Sequence, residues 1–426
     1  MEPLRAVVSR RRHGDGARSI LRHHRGARGT LQVPRLRERV VTSLKNVSAT
    51  TRRRTARVVF GLIILGASAC SPREAERSSE GPADSDSARA AFAGSTRVDL
   101  TGGGATFPYP LYSRWFNEYA PQAQVRINYR AEGSGEGIRH LINRTADFGA
   151  TDVPMTDAQL RRVGAQVLHV PTAVGAVAIT YNLPGSNRPL RLSADVLTDI
   201  FLGRITRWND ARLAALNPDR VLPADSVIVV VRDDDSGTSY IFSDYLTTVS
   251  MDWARGPGRG STVDWPVGRG AQGNEGVAGL VKQTVGAIGY VEAVFARQNR
   301  LPLAHLRNRA GRFVSPMPYE IAAAAAQVLE REAGNMTRPN DYRLSLVDAP
   351  GPASYPIASF TWLVFAPTVL GAPRTRQLVD FLHWALREGS GITSSLGYVT
   401  LPSSVAEDVL QRLDQLPPAQ PRDHPH

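Results

Sequence analysis

The sequence predicts an α/β fold, and three observations carry that prediction. Short β-rich runs alternate with stretches of helical periodicity, the order that layers helices against a sheet. Several of the runs are apolar throughout, as strands buried on both faces are. The pattern is confined to a body of roughly 320 residues, flanked by segments too poor in large apolar groups to build a core.

The elements follow in chain order. Pro108 to Tyr119 places Leu111, Trp115 and Tyr119 on one helical face, with proline at a permissible first-turn position. Val125-Arg126-Ile127-Asn128-Tyr129 alternates as a strand should. Thr156, with Gln159 three residues on, reads as a helix N-cap and its reciprocal partner. Ala176 to Tyr181, Ile228 to Val231 and Phe360 to Phe365 are predicted as buried strands. The body shows no internal repeat.

The flanks have a different chemistry. The chain of 426 residues carries a net charge of +12, which taken whole suggests nucleic acid. Residues 1–57 hold sixteen Lys/Arg against three Asp/Glu, so the remainder sums to −1 and nucleic acid is rejected as a partner. Arg52-Arg53-Arg54 and Arg57 precede the apolar stretch Val58 to Leu65, then Gly66-Ala67-Ser68-Ala69-Cys70. That is the order of a secretory signal, with an apolar stretch far short of the ~20 residues needed to span a bilayer. Cys70 is the one cysteine, which excludes an internal disulfide. The arrangement resembles a bacterial lipoprotein signal, in which the cysteine becomes the lipidated first residue, although Ala67 stands where Leu is usual. Ordinary secretory cleavage after Ala69 is the alternative. Residues 1–69 are therefore read as a basic leader and signal, 70–96 as a Ser- and acid-rich tether, and 417–426 as a loose Pro-rich tail.

Three places in the body share one architecture: a strand, a tight turn of Gly, Ser or Thr, then a helix. They are Gly102-Gly103-Gly104-Ala105-Thr106-Phe107-Pro108, Gly133-Ser134-Gly135-Glu136-Gly137, and Arg232-Asp233-Asp234-Asp235-Ser236-Gly237-Thr238-Ser239. Each would present unpaired N–H groups and a hydroxyl at the positive end of a helix, which is the physics of an anion site. One such turn alone is an ordinary helix cap; three in one chain, one flanked by an arginine, point to a bound anion. No G-x-x-x-x-G-K-[ST] is present and no G-x-G-x-x-G follows a predicted strand, and the H-E-x-x-H metal motif and the G-x-S-x-G nucleophile elbow are missing. His140, His169, His305 and His383 read as surface or satisfied core residues. The run Asp233-Asp234-Asp235 reads as a solvated turn with a cap, lacking the later ligands of a calcium loop.

Long motifs in order then identify a family. GGGATFPYPLYSRW, NYRAEGSGEGI, ADFGATDVPMTDAQL, IFLGRITRWND, VVVRDDDSGTSYIF, GSTVDWPVG and GAIGYVEAVFARQN span about Leu100 to Val405. Together they resemble the phosphate-binding proteins of phosphate-specific ABC importers. The resemblance implies the periplasmic-binding-protein fold, two lobes joined by a two-strand hinge. It places lobe I at 97–172 plus 357–416 and lobe II at 173–356, with crossings near Pro171-Thr172 and Pro356-Ile357. It assigns phosphate contacts to Thr106, Phe107 (through its N–H), Ser134, Asp152, Arg232, Asp234, Ser236, Gly237 and Thr238. The residue types suit those roles. Arg232 offers forked donors that Asp234 can hold in place, and Asp152, an acceptor, can pair only with a ligand that still carries a proton. Phosphate carries one and sulfate does not. Three positions depart from the family pattern: Glu136 replaces a usual Gly, and Asp233 and Asp235 replace small residues.

The implied function is extracytoplasmic capture of inorganic phosphate by a monomer, held to a membrane through a lipid on Cys70, and delivery to an importer permease and ATPase. No enzyme activity, cofactor or metal is expected. A phosphate sensor or surface scavenger is the alternative on the same scaffold; a binder of another oxyanion and a phosphatase are the more remote ones.

Overall fold

The computed structural model describes residues 99–416 except 124, 186–187 and 333–341. Cys70, the leader, the tether and the tail from 417 lie outside the described residues. The first elements are β1 (Asp99–Gly104), α1 (Tyr109–Ala123), β2 (Arg126–Ala131), α2 (Ser134–Asn143), β3 (Phe148–Thr151), α3 (Asp157–Val163) and β4 (Leu168–Tyr181). Next come β5 (Arg191–Leu192), α4 (Ala194–Phe201), α5 (Ala211–Leu216), β6 (Ile228–Arg232), α6 (Gly237–Val249), α7 (Met251–Arg255), β7 (Arg269–Ala271), α8 (Gly273–Gln283), β8 (Ala287–Glu292) and α9 (Ala293–Gln298). The remainder is β9 (His305–Arg307), β10 (Phe313–Val314), α10 (Pro318–Glu332), β11 (Leu346–Val347), β12 (Ile357–Phe365), α11 (Pro367–Leu370), α12 (Ala372–Leu386), α13 (Ser390–Leu396) and α14 (Ser403–Asp414).

Among the described residues the main sheet runs β2-β1-β3-β12-β4-β8-β6-β7, with β11 paired to β12. Within it β1 pairs parallel with β2 and β3, while β6 pairs parallel with β7 and β8. The long strand β4 joins the two halves. Its residues up to Ala176 pair with β12, and those from Val177 pair with β8. β12 then returns the chain to the first half, antiparallel to both β3 and β4.

Local chemistry explains the elements that carry the site. Helix α1 buries Leu111, Trp115 and Tyr119 on the predicted face, with Tyr112 and Phe116 beside them. Its aromatic rings pack on Phe148, Tyr129 and Phe381; a fully buried side chain of this size contributes about 1.5–3 kcal/mol. Thr156 caps α3 with the reciprocal Gln159 contact. β4 begins eight residues before the strand the apolar run predicts, and it contains Pro171. Pro171 sits opposite Trp362, where the register with β12 shifts, and an irregularity of this kind tolerates a residue without an N–H.

Candidate functional site

The three strand–turn–helix units form, although Gly102 to Gly104 lie in β1 and Ser134 to Gly137 in α2 rather than in the turns, and their turns meet in one cleft. After β1 the chain turns through Thr106 and Phe107 into α1. Ser134 opens α2, and Gly137 lets that helix lie backbone-to-backbone on β3, since a Cβ there would strike the Ala150 carbonyl. β6 ends at Arg232 and α6 opens at Gly237, capped by Ser236, whose Oγ accepts the N–H of Ser239 at 3.1 Å. First-turn N–H groups have no partner inside their own helix and carry its positive end.

Asp152 follows β3 and is 2% exposed. The Ser134 hydroxyl donates to its Oδ2 at 3.2 Å and accepts its backbone N–H at 3.0 Å. From β12, the Thr361 hydroxyl donates to Oδ1 at 2.7 Å. Burial nevertheless pushes the Asp152 carboxyl up to about 7, against the lowering effect of those hydroxyls and of the Arg232 charge.

Arg232 is 3% exposed and gripped by Asp234 in a fork. Its Nε donates to Oδ1 at 2.6 Å and its Nη2 to Oδ2. The Gly273 N–H adds a third donor to this carboxylate, at Oδ1 and 3.1 Å. The guanidinium charge is thus balanced within the chain, and what remains is directional. Arg232 Nη1 is buried and has no hydrogen-bond partner among the described residues. Leaving such a donor unpaired costs about 1–3 kcal/mol, more when it is charged, so an atom of this kind calls for a partner from outside the chain.

The two sides of the cleft touch at several points. Gly237 lies against Ser134 and Asp152 so closely that a Cβ would collide with Ser134 Oγ and the Asp152 carboxylate. The Gly135 N–H donates to the Asp235 carbonyl at 3.1 Å. Asn274 Nδ2 donates to Thr106 Oγ1 at 2.9 Å and to Thr238 Oγ1 at 3.0 Å. Phe107, whose carbonyl accepts the Tyr398 hydroxyl at 2.7 Å, completes the group of nine residues singled out from the sequence. A cavity of about 440 Å³, lined by Thr106, Tyr129, Asp234 and Gly273 among others, opens beside them. The turns thus gather hydroxyls, first-turn N–H groups and the Arg232–Asp234 pair around the buried Asp152 carboxyl.

Residues 86–388 match the family model described as a PBP superfamily domain. The chain belongs to that superfamily. Within it, the chain is 39% identical over 315 residues to the phosphate-binding protein PstS of Pasteurella multocida, covering 74% of this chain and 88% of the relative. It is 37% identical over 312 residues to that of Haemophilus influenzae, covering 73% and 91%. The periplasmic phosphate-binding protein PfluDING, solved with phosphate, shares the fold with a TM-score of 0.58 at 23% identity, over 73% of this chain and 93% of that one.

Against the pattern of PBP-superfamily phosphate binders, the three extra acids have a physical resolution here. Arg139 on α2 donates to both oxygens of Glu136 and, at 2.9 Å, to Asp235 across the cleft. Glu136 is held below the usual carboxylate range by that arginine, and Asp233 is exposed. Glu136 and Asp235 therefore share one arginine, and Asp233 faces solvent. Sequence reasoning missed Asn274, Tyr290, Glu292 and Thr361. Tyr290 accepts the Arg232 N–H at 3.0 Å and bonds Ser239 Oγ at 2.7 Å. Glu292, 1% exposed, is raised by burial to about 8 and accepts the Val294 N–H at 2.7 Å. The available signals were NEG after the β7 turn and YVE at the end of β8, polar residues set beside buried apolar runs.

Proposed function

We propose that this protein captures inorganic phosphate in the cleft and hands it to an ABC-type importer. The observation that carries this reading is Arg232 Nη1, a buried charged donor without a hydrogen-bond partner among the described residues, on the strand that leads into the first turn of α6. A tetrahedral oxyanion satisfies it. Thr106, Ser236 and Thr238 offer hydroxyls, the Phe107, Gly237 and Thr238 backbones offer N–H groups, and Arg232 offers Nη1. The ligand's own proton goes to Asp152, whose Oδ2 already takes the Ser134 hydroxyl. Above about pH 7, where Asp152 is ionised, an anion without a proton meets a carboxylate there and gains nothing. Nothing in this account forms or breaks a covalent bond; the site binds and releases.

The finer parts of the reading are proposals of the same kind. Lobe I takes 97–172 and 357–416 and lobe II takes 173–356, and the change of partner within β4, at Ala176 to Val177, supports a hinge in that region. The order of the leader supports export, and Cys70 at its close supports a lipid anchor on a monomer working outside the cytoplasm. Detergent partitioning tests the anchor: Cys70→Ala should leave the membrane fraction, and full retention would remove it.

Calorimetric titration of ligand-free wild type and Arg232→Ala with phosphate tests the function. Wild type should bind one phosphate. The variant should bind at least about ten-fold more weakly, since a charge-assisted hydrogen bond is worth roughly 1.5–3 kcal/mol and about 1.4 kcal/mol is a decade. No binding by wild type, or a loss below about three-fold in the variant, would overturn the reading.

A further inference from the structure

Asn274 is 0% exposed, at the start of α8, with each polar atom of its amide committed. Its Oδ1 accepts the Glu292 N–H at 2.7 Å. That backbone donor fixes which end of the amide is oxygen, so Nδ2 must face the other way. There its two protons reach Thr106 Oγ1 at 2.9 Å and Thr238 Oγ1 at 3.0 Å. The Asn274 backbone N–H adds a longer contact to Thr106 Oγ1 at 3.4 Å.

A threonine hydroxyl can donate once and accept twice, and its proton rotates to suit its surroundings. Here the surroundings leave little choice. Both acceptor positions of Thr106 Oγ1 are filled from Asn274, and one of Thr238 Oγ1 is filled from the same amide. The protons of these hydroxyls are turned away from Asn274. The two threonines come from opposite sides of the cleft, one after β1 and one in the first turn of α6. Neighbouring groups hold the amide rigid: Val177 pairs with Glu292 between β4 and β8, and the N–H of Gly273 is bound to Asp234.

We propose that Asn274 is a positioning residue that fixes Thr106 and Thr238 as hydrogen-bond donors toward the bound anion, one from each side of the cleft. The inference rests on the phosphate-binding reading and deepens it. Hydroxyls held this way serve bare oxygens, and Thr106 has no acceptor position left for a ligand proton. Asp152 is then left as the acceptor for that proton, so discrimination between anions depends on Asn274 as well as on the carboxylate.

The test is a double-mutant cycle on phosphate affinity, built from Asn274→Asp and Thr238→Val. Asn274→Asp keeps an acceptor for the Glu292 N–H, so the fold is retained, but it replaces the donor with an acceptor that captures both hydroxyl protons. Phosphate binding should fall by roughly 30-fold or more. The loss should be at least about five-fold smaller where Thr238→Val has already removed one hydroxyl, because residues acting through one another are not additive. Asn274→Ala, taken through the same cycle, removes the amide without adding charge and should couple with the same sign. Independent losses in both cycles, or Asn274→Asp binding within about three-fold of wild type, would overturn the inference. Wild type failing to bind phosphate would instead sink the functional reading beneath it.

Discussion

Two carboxyls buried in the molecule, Asp152 and Glu292, titrate far from their ordinary range. Burial is the main cause in both, and it raises Asp152 from 3.8 to about 7 and Glu292 from 4.5 to about 8. A raised folded-state value means that the folded protein holds these protons more tightly than the unfolded chain does. Their contribution to stability is therefore full below the unfolded values and is lost as pH rises through about 7 and about 8. Ligand-free Asp152→Asn and Glu292→Gln should each flatten the fall in melting temperature between about pH 5 and about pH 8. Calorimetric melts across that window check this; slopes parallel to wild type would mean that neither carboxyl is titrating there. Gln at 292 keeps an oxygen for the Val294 N–H, so the local cap survives the change.

At the scale of elements, the site depends on how closely α6 approaches β3 and α2. Gly237 permits that approach, because any side chain would strike Ser134 and Asp152. Gly237→Ala should therefore hold the two sides apart while leaving the helix content intact, since alanine suits a first helical turn. Phosphate affinity should drop by roughly 30-fold or more, and small-angle scattering should show no contraction with phosphate where wild type contracts. A variant that binds and contracts like wild type would show that this contact is not part of closure. The same elements show what the sequence made legible. Strands β2, β6 and β12 and helix α1 were readable because their burial pattern is local: alternating in β2, helical in α1 and unbroken in β6 and β12. The first half of β4 was hidden by Pro171, a residue that speaks against a strand until its partner at an irregular register is known. Asn274 was hidden for another reason: its two partners lie 168 and 36 residues away, and nothing local distinguishes a cross-cleft amide from an ordinary polar residue near a helix start.

At the scale of the whole molecule, the sheet is two halves sharing β4, with the proposed anion site where the turns of both halves converge. Under the proposed function this design separates capture from specificity. Helix ends and the Arg232–Asp234 pair supply donors without surplus charge, so any small oxyanion is within their reach. In the proposed function specificity falls to Asp152, whose carboxyl is bound by Ser134 of α2 and Thr361 of β12. The sequence motifs led to this carboxylate, but its Thr361 partner, 209 residues away, emerged only from the fold. The most direct test of the account is a side-by-side titration of wild type and Asp152→Asn with phosphate and with sulfate, at one pH and ionic strength. Asparagine keeps the shape and adds an amide donor that can meet an unprotonated oxygen. Wild type should favour phosphate strongly, and the variant should gain measurable sulfate affinity, so that its phosphate-to-sulfate ratio falls by at least about ten-fold. A single ratio shared by both proteins would contradict the claim that Asp152 reads the ligand's proton.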